Sequence, residues 1–385
     1  MPWDKVGIPT VETVSKSQII MLVIMHLLLY NEVPLGFVTD EGFIVRCSMR
    51  VGFLRLERKP DAVARSLFAL ANLYGVEFFY FTPEKINMEK RCINGLFFEK
   101  GDFVEKTTDY PEIVDDHHIF MKRYPGLYDD LSSKSFLIFT PLGGKLKINN
   151  IIQKSTQRKY LIETDLYKDI NIDDLLKKQK TLVIKPNRGN KGKNIYKISM
   201  NNGLYCLQLN DTSISLTRNE FEEQYAQEFS KNYIIQSYVD SATNSGNSLN
   251  VRVLSLRGKN GKWIKPKITP RVSSINRVAA SLSSGGTVAY SSFLSLEYGD
   301  NYKKINSELM DIGCNMPDII QKAFPKLIDS FGFDVGIDRA NGYECKLFEA
   351  NTYPAARPFE YEVSEAKIHY YIYLLNNYHK VKYTV

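Results

Sequence analysis

Apolar positions in this chain cluster in short runs whose period changes along its length. Residues 19–30, IIMLVIMHLLLY, form the longest run. Twelve residues around a central His26 are too few to span a bilayer as a helix, so the run predicts a buried core helix. Asp4 and Glu12 ahead of it, with no small-residue cleavage site behind, argue against a secretory signal. A hairpin is expected next, in GFVTDEGFIVRCS, turning at Asp40-Glu41-Gly42. From Val51 the pattern becomes strand, helix, strand. VGFLRLE is a strand; KPDAVARSLFALANLYG starts at an Asp that caps a helix and stops at Gly75; VEFFYF is a second strand. That spacing predicts a small α/β domain with parallel strands over roughly 51–140. NNIIQKSTQRKYL (149–161) reads as a helix. Beyond it the periodicity predicts strands at 181–185, 194–199, 203–209, 232–239, 249–257, 262–273, 286–294, 332–338 and 343–350. Helices are expected near 218–230, 315–330 and 362–378. The whole is an α+β body on antiparallel sheet. Three segments result: an extension of unassigned role (1–48), a small α/β domain (49–140) and a larger domain (141–385).

Composition narrows the class of partner. The chain has 385 residues, 44% of them hydrophobic and 24% charged, as in a soluble globular protein. A net charge of +7 is mild and spread out; with no basic helix or aromatic-basic array, it favours an anionic small molecule over nucleic acid. Five dispersed cysteines without a C-x-x-C indicate neither a disulfide framework nor a zinc site and point to a reducing compartment, the cytoplasm. His117-His118 reads as structural or surface.

Candidate chemistry begins at TLVIKPNRGNKGKNIYKI (181–198). A strand meets Lys185-Pro186 and then a loop rich in glycine, cations and asparagine. Backbone N–H groups freed by glycine, with mobile ammonium groups, suit phosphate. Gly189 and Gly192 have two residues between them and Lys193 is followed by Asn194, so this is no P-loop. A solvated hairpin loop is the competing reading.

A second candidate is FDVGIDRANGYECKLFEANTYP (333–354). Asn341-Gly342 between apolar runs predicts a type I′ hairpin. Two turn residues there set Asp334 across from Glu349, with Asn351 on the same face. Opposed carboxylates repel unless a cation lies between them, and two carboxylates with an amide oxygen suit Mg²⁺. Asp338, about 13 Å along the strand, falls outside that group or in solvent. Arg252 in SLNVRVLSLRG and Arg271 in KWIKPKITPRVSS sit among alternating apolar residues. Each is either a surface strand position or faces an anion such as a carboxylate or a transferring phosphoryl group.

Taken in order, YLIET (160–164), KPNRGNKGKNI (185–195), QSYV (236–239), NVR (250–252), GKW (261–263), RVSS (271–274), SLSSGG (281–286) and FDVGID…FEANTYP resemble the ATP-grasp superfamily. The pattern is most similar to its endospore coat-associated, YheC/YheD-type branch, over about residues 50–354. The resemblance implies two antiparallel-sheet lobes clasping ATP, preceded by a small α/β domain. It implies Lys154, or its rival Lys159, and Lys185 on the phosphates, with the 188–193 loop (Arg188, Gly189, Gly192) as a lid. Gln236 and the backbone to Val239 would take adenine, and Asn250 would lie near the ribose. Asp334, Glu349 and Asn351 would bind Mg²⁺, and Arg252 and Arg271 would be catalytic. The implied activity is an ATP- and Mg²⁺-dependent carboxylate–amine ligase working through an acyl phosphate on small-molecule or peptide substrates, with neither nucleic acid nor membrane as partner. A kinase using the same site and a non-catalytic spore-coat scaffold are the alternatives. Asn250, Asn194, Ser281 and Ala355 depart from the family pattern. Asn194 is the mildest change, because Asn tolerates left-handed backbone.

Overall fold

The computed structural model describes residues 37–38, 44–45, 50–116, 123–138, 140–189, 192–210, 212–275 and 286–377. The chain divides into two compact units, Met1–Ser48 and Met49–Val385. Described residues of the first are an antiparallel pair, β1 (Phe37–Val38) and β2 (Ile44–Val45), which flank the expected turn at 40–42. The apolar run 19–30, His117-His118 and Ser281 lie outside the described residues.

The second unit opens with a seven-stranded sheet: β3 (Arg50–Leu54), β4 (Glu77–Phe81), β5 (Ile86–Asn87), β6 (Cys92–Glu99), β7 (Asp102–Asp109), β8 (Ile113–Asp116) and β9 (Phe136–Ile138). Strands β4, β3, β8 and β9 run parallel, and β6 joins antiparallel to β4, β5 and β7. The helix Ala62–Tyr74 lies between β3 and β4 with the ends the sequence marks. The Asp61 carboxylate accepts from the Ala64 N–H at 2.8 Å, and Gly75 closes the helix at φ 69°.

Two antiparallel sheets follow. One contains β10 (Thr164–Leu166), β11 (Thr181–Pro186), β12 (Tyr196–Asn201), β13 (Leu204–Leu209), β14 (Thr212–Leu216) and β15 (Tyr233–Ser237), in the order β10-β15-β11-β12-β13-β14. The other contains β16 (Asn247–Leu256), β17 (Lys267–Ile275), β18 (Thr287–Val288), β19 (Ser330–Asp338) and β20 (Glu344–Asn351), in the order β18-β17-β16-β19-β20. This is the expected α+β body, with four local differences. Strand β14 was not legible. The strand expected at 286–294 is two residues long and gives way to a helix, Ser292–Tyr298. The helix expected at 149–161 is instead Lys145–Gln153, followed by a 3₁₀ segment, Thr156–Tyr160.

The fourth difference is the helix Tyr302–Gln321, which starts well before residue 315 and contains Pro317 in its interior. Proline has no N–H for the carbonyl four residues back. The orphaned carbonyl is that of Gly313, and the Ser255 hydroxyl of β16 donates to it at 2.7 Å. A Cβ on Gly313 would stand 2.6 Å from Pro266, so this turn lies tight against the sheet. A tertiary partner therefore carries the helix through a residue that ordinarily stops one.

The last helix, Glu360–Asn376, connects the layers. Ile368, Tyr371 and Leu374 pack with Val51, Phe53 and Leu67 of the first sheet's core, while Val363 and Ala366 pack with Leu254 and Leu256 of β16. Its Lys367 is buried and donates to Asp115 of β8 (2.7 Å) and to Asp329 (2.6 Å), and Arg55 pairs with the same Asp115 at 2.8 Å. Lys367 and Arg55 hold the Asp115 carboxyl down at about 2 against the effect of its burial.

Candidate functional site

A cleft of about 1030 Å³ is lined by β11 and β15 of one antiparallel sheet and by β16, β17, β19 and β20 of the other. That exceeds the usual range for small-molecule pockets, about 300–1,000 Å³. Six cationic side chains line it (Lys145, Lys185, Arg188, Lys193, Arg252 and Arg271) against two carboxylates, Asp334 and Glu349. A concave site in which cationic side chains outnumber carboxylates this far is built for a polyanion.

Strand register sets the floor. Arg252 of β16 pairs with Thr269 on one side and Asp334 on the other, and Asp334 pairs with Glu349. Four side chains thus lie in a row across the sheet, at about 4.8 Å per strand. Arg252 grips both oxygens of Asp334, at 2.8 and 3.0 Å, and Arg271 approaches at 3.4 Å. Both guanidinium groups are buried, at 7% and 5% exposure. Even so, Nη1 of Arg252 and Nε and Nη2 of Arg271 have no acceptor among the described residues. Burial, reinforced by the neighbouring Arg252, lowers Arg271 to about 10, which Asp334 only partly offsets. Unsatisfied buried N–H groups on clustered cations are costly until an anion fills them.

The Asp334–Glu349 pairing is the one the sequence predicts, but it arises differently. The turn is not a two-residue type I′ turn. Asp338 pairs with Glu344, leaving a five-residue connection in which Gly342 and Tyr343 both have positive φ. That alone would shift the register by one. A bulge between Asp334 and Val335, opposite Phe348, restores it. The Phe348 ring lies where Gly336 has no side chain; a Cβ there would be 2.2 Å from it. Asp338 is not in solvent; paired with Glu344, it lies four residues along the strand from Asp334. It is buried and caps the turn, accepting from Ala340 N at 3.2 Å and Asn341 Nδ2 at 2.7 Å.

The roof is the glycine loop with a helix end docked on it. Lys185 is buried and donates to the bulge carbonyl of Phe348 at 3.0 Å. Burial, aided by Lys145, lowers its ammonium to about 7, with Glu349 and Asp334 opposing weakly. Asn187 takes the first N–H groups of the helix Lys145–Gln153: Lys145 N donates to its carbonyl at 2.9 Å and Leu146 N to its side chain at 3.0 Å. Gly144 permits that approach, since a Cβ would lie 2.6 Å from the Asn187 side chain. Lys145 Nζ then reaches Glu349 (3.2 Å) and the Gly189 carbonyl (3.3 Å). Asn194 sits at φ 55°, in the left-handed region.

Residues 136–381 match the family model described as YheC/D like ATP-grasp. The chain belongs to this ATP-grasp family. It is 24% identical over 307 residues to the endospore coat-associated protein YheD of Bacillus subtilis (strain 168), covering 74% of this chain and 65% of that protein's length. Among solved structures it is similar to the D-cycloserine synthetase DcsG (TM-score 0.47, 10% identity, 83% of this chain and 99% of that one). It is likewise similar to the macrocyclase MdnC bound with precursor peptide MdnA from Microcystis aeruginosa MRC (TM-score 0.45, 10% identity, 83% and 99%).

Within this ATP-grasp chain, Lys185, Arg188, Gly189, Gly192, Gln236, Val239, Asn250, Arg252, Arg271, Asp334, Glu349 and Asn351 all line the cleft. Lys154 and Lys159 do not. Lys154 is exposed at the C-terminal end of its helix, and Lys159 pairs with Asp311 at 3.0 Å. The lysine that this helix contributes to the cleft is Lys145, which the sequence reading missed. Lys145, Ile148, Asn149 and Ile152 share one face, with Ile148 and Ile152 buried, whereas nine residues on from Lys145 is the opposite side of a helix. Following that apolar stripe back to Gly143-Gly144 would have found it. GKW is structural: Trp263 donates to Asp318 at 2.7 Å and stacks under Arg257. No helix among the described residues is long and apolar enough to cross a membrane.

Proposed function

We propose that the chain is an ATP- and Mg²⁺-dependent carboxylate–amine ligase. The observation that carries this is the pair of buried guanidinium groups with unfilled N–H donors, set between an acidic hairpin and a lysine-rich roof. Lys145, Lys185 and the glycine loop would neutralise the phosphates of ATP, and Gln236 with the backbone to Val239 would seat the base. Asp334, Glu349 and Asn351 suit Mg²⁺ in donor chemistry: three oxygen donors on one hairpin face, two of them carboxylates whose mutual repulsion the chain's own cations now offset. When bound there, Mg²⁺ would supply further neutralisation of phosphate oxygens.

In the reaction a substrate carboxylate oxygen attacks the γ-phosphorus. The bond to the β,γ-bridging oxygen breaks and ADP leaves. An amine then attacks the acyl carbon, phosphate departs, and one proton is released as the amide forms. Arg252 and Arg271 would direct their free N–H groups at the charge on the transferred phosphoryl and acyl-phosphate oxygens. The substrates would be small-molecule or peptide carboxylates and amines.

The test is release of ADP and phosphate by the full chain with ATP, Mg²⁺ and amino acids or short peptides as paired donors. Phosphate release that needs both a carboxylate and an amine supports the reading. A stable phosphorylated product made without an amine would identify a kinase instead.

A further inference from the structure

Thr164 of β10 lies beside Gln236 of β15, which in turn pairs with Val183 of β11. The Thr164 hydroxyl has one proton and two lone pairs. Its proton goes to the Ile162 carbonyl at 2.7 Å. Both lone pairs must then accept, from Gln236 Nε2 at 2.6 Å and Asn149 Nδ2 at 3.0 Å. The direction of the Gln236 amide follows from this donor inventory: its nitrogen faces Thr164 and its oxygen faces away. Gln236 is 4% exposed and lines the cleft, with its Nε2 committed to Thr164.

An unrestrained glutamine amide turns over to present either a donor or an acceptor. A locked one offers the same group to every ligand. We infer that Thr164 is a positioning residue that locks Gln236 as an acceptor, so that the cleft selects a purine with a 6-amino group over one with a 6-oxo group. This rests on the nucleotide reading above. A 6-amino group donates to Gln236 Oε1, whereas a 6-oxo group meets it lone pair to lone pair and leaves a buried acceptor unpaired.

The probes are ADP and IDP, titrated calorimetrically into the full chain. Wild type binds ADP tighter by about 10-fold or more, the discrimination expected of a buried hydrogen-bonding group. Thr164→Val keeps the shape of the side chain and frees the amide. The preference falls to within about 3-fold, chiefly because IDP binds better. A loss of structure would instead weaken both ligands. Thr164→Ser restores the preference, and Gln236→Glu, an acceptor in either orientation, retains it. A wild type indifferent between ADP and IDP, or a Thr164→Val protein with the wild-type preference, overturns the inference while leaving nucleotide binding intact. If ADP fails to bind wild type at all, the underlying nucleotide reading falls, and this inference with it.

Discussion

The affinity of the cleft for ADP should fall as pH rises from 7 to 9, because of Lys185. Its Nζ is enclosed by Lys145, Glu349, Asp334 and the Phe348 carbonyl, and its ammonium is lowered to about 7 chiefly by burial. Above that pH the empty site holds a neutral amine. A phosphate beside Nζ favours the charged form and raises the value again. The bound state then carries more protons than the free state, so affinity is greatest at or below pH 7 and declines above it. The limiting slope is about tenfold in Kd per pH unit, or about 1.4 kcal/mol. At pH 8 a group with a free value of about 7 is about one-tenth protonated, so each ADP should take up close to one proton. Phosphate ionisation near pH 6 lies below this window, and Arg271, lowered only to about 10, lies above it. Calorimetry in two buffers of different ionisation enthalpy measures the uptake directly. Lys185→Met should abolish both the uptake and the slope. A Kd flat from pH 7 to 9, or a slope that survives in Lys185→Met, would refute the reasoning.

The two candidate lysines separate cleanly: Lys145→Met should weaken ADP binding by about 10-fold or more, the loss of a charge-assisted contact, while Lys154→Met stays within about 2-fold, as dissociation constants will show. Asp334→Asn removes the carboxylate between two buried guanidinium groups; it should cost about 3 kcal/mol of stability by thermal or denaturant unfolding and eliminate turnover. Ser255→Ala strands the Gly313 carbonyl and should cost about 1–2 kcal/mol. The same change made on a Pro317→Ala background should cost clearly less, because the helix then supplies the missing N–H, and a double-mutant cycle by urea unfolding measures the difference.

Much of the fold was legible because its signals are short-range. Asp61 and Gly75 mark their helix through caps that need only a few neighbouring residues. The motif order from Lys185 to Asn351 named twelve of the residues that line the cleft, and alternation along a strand placed Glu349 and Asn351 on one face whatever the strand packs against. The hairpin is a more instructive case. Asp334 faces Glu349 as predicted, yet the turn is longer than Asn341-Gly342 implies, and a bulge at Phe348, held against Gly336, cancels the shift. Two departures of opposite sense left the same pair opposed. The helix through Pro317 failed in the other direction, since a hydroxyl distant in sequence satisfies the carbonyl that proline abandons.

Local patterning by itself determined most of the strand segments, the helix ends at Asp61 and Gly75, and that a cationic glycine loop precedes the acidic hairpin. Tertiary structure alone decided that Lys145, and not Lys154, enters the cleft. It also left three guanidinium nitrogens in the cleft without acceptors among the described residues, and it returned the last helix to the first sheet. The physical reason is range. Caps and side-chain periods act over a few residues, whereas which face of a helix turns inward, and which buried donor lacks a partner, depends on surfaces brought together from distant parts of the chain.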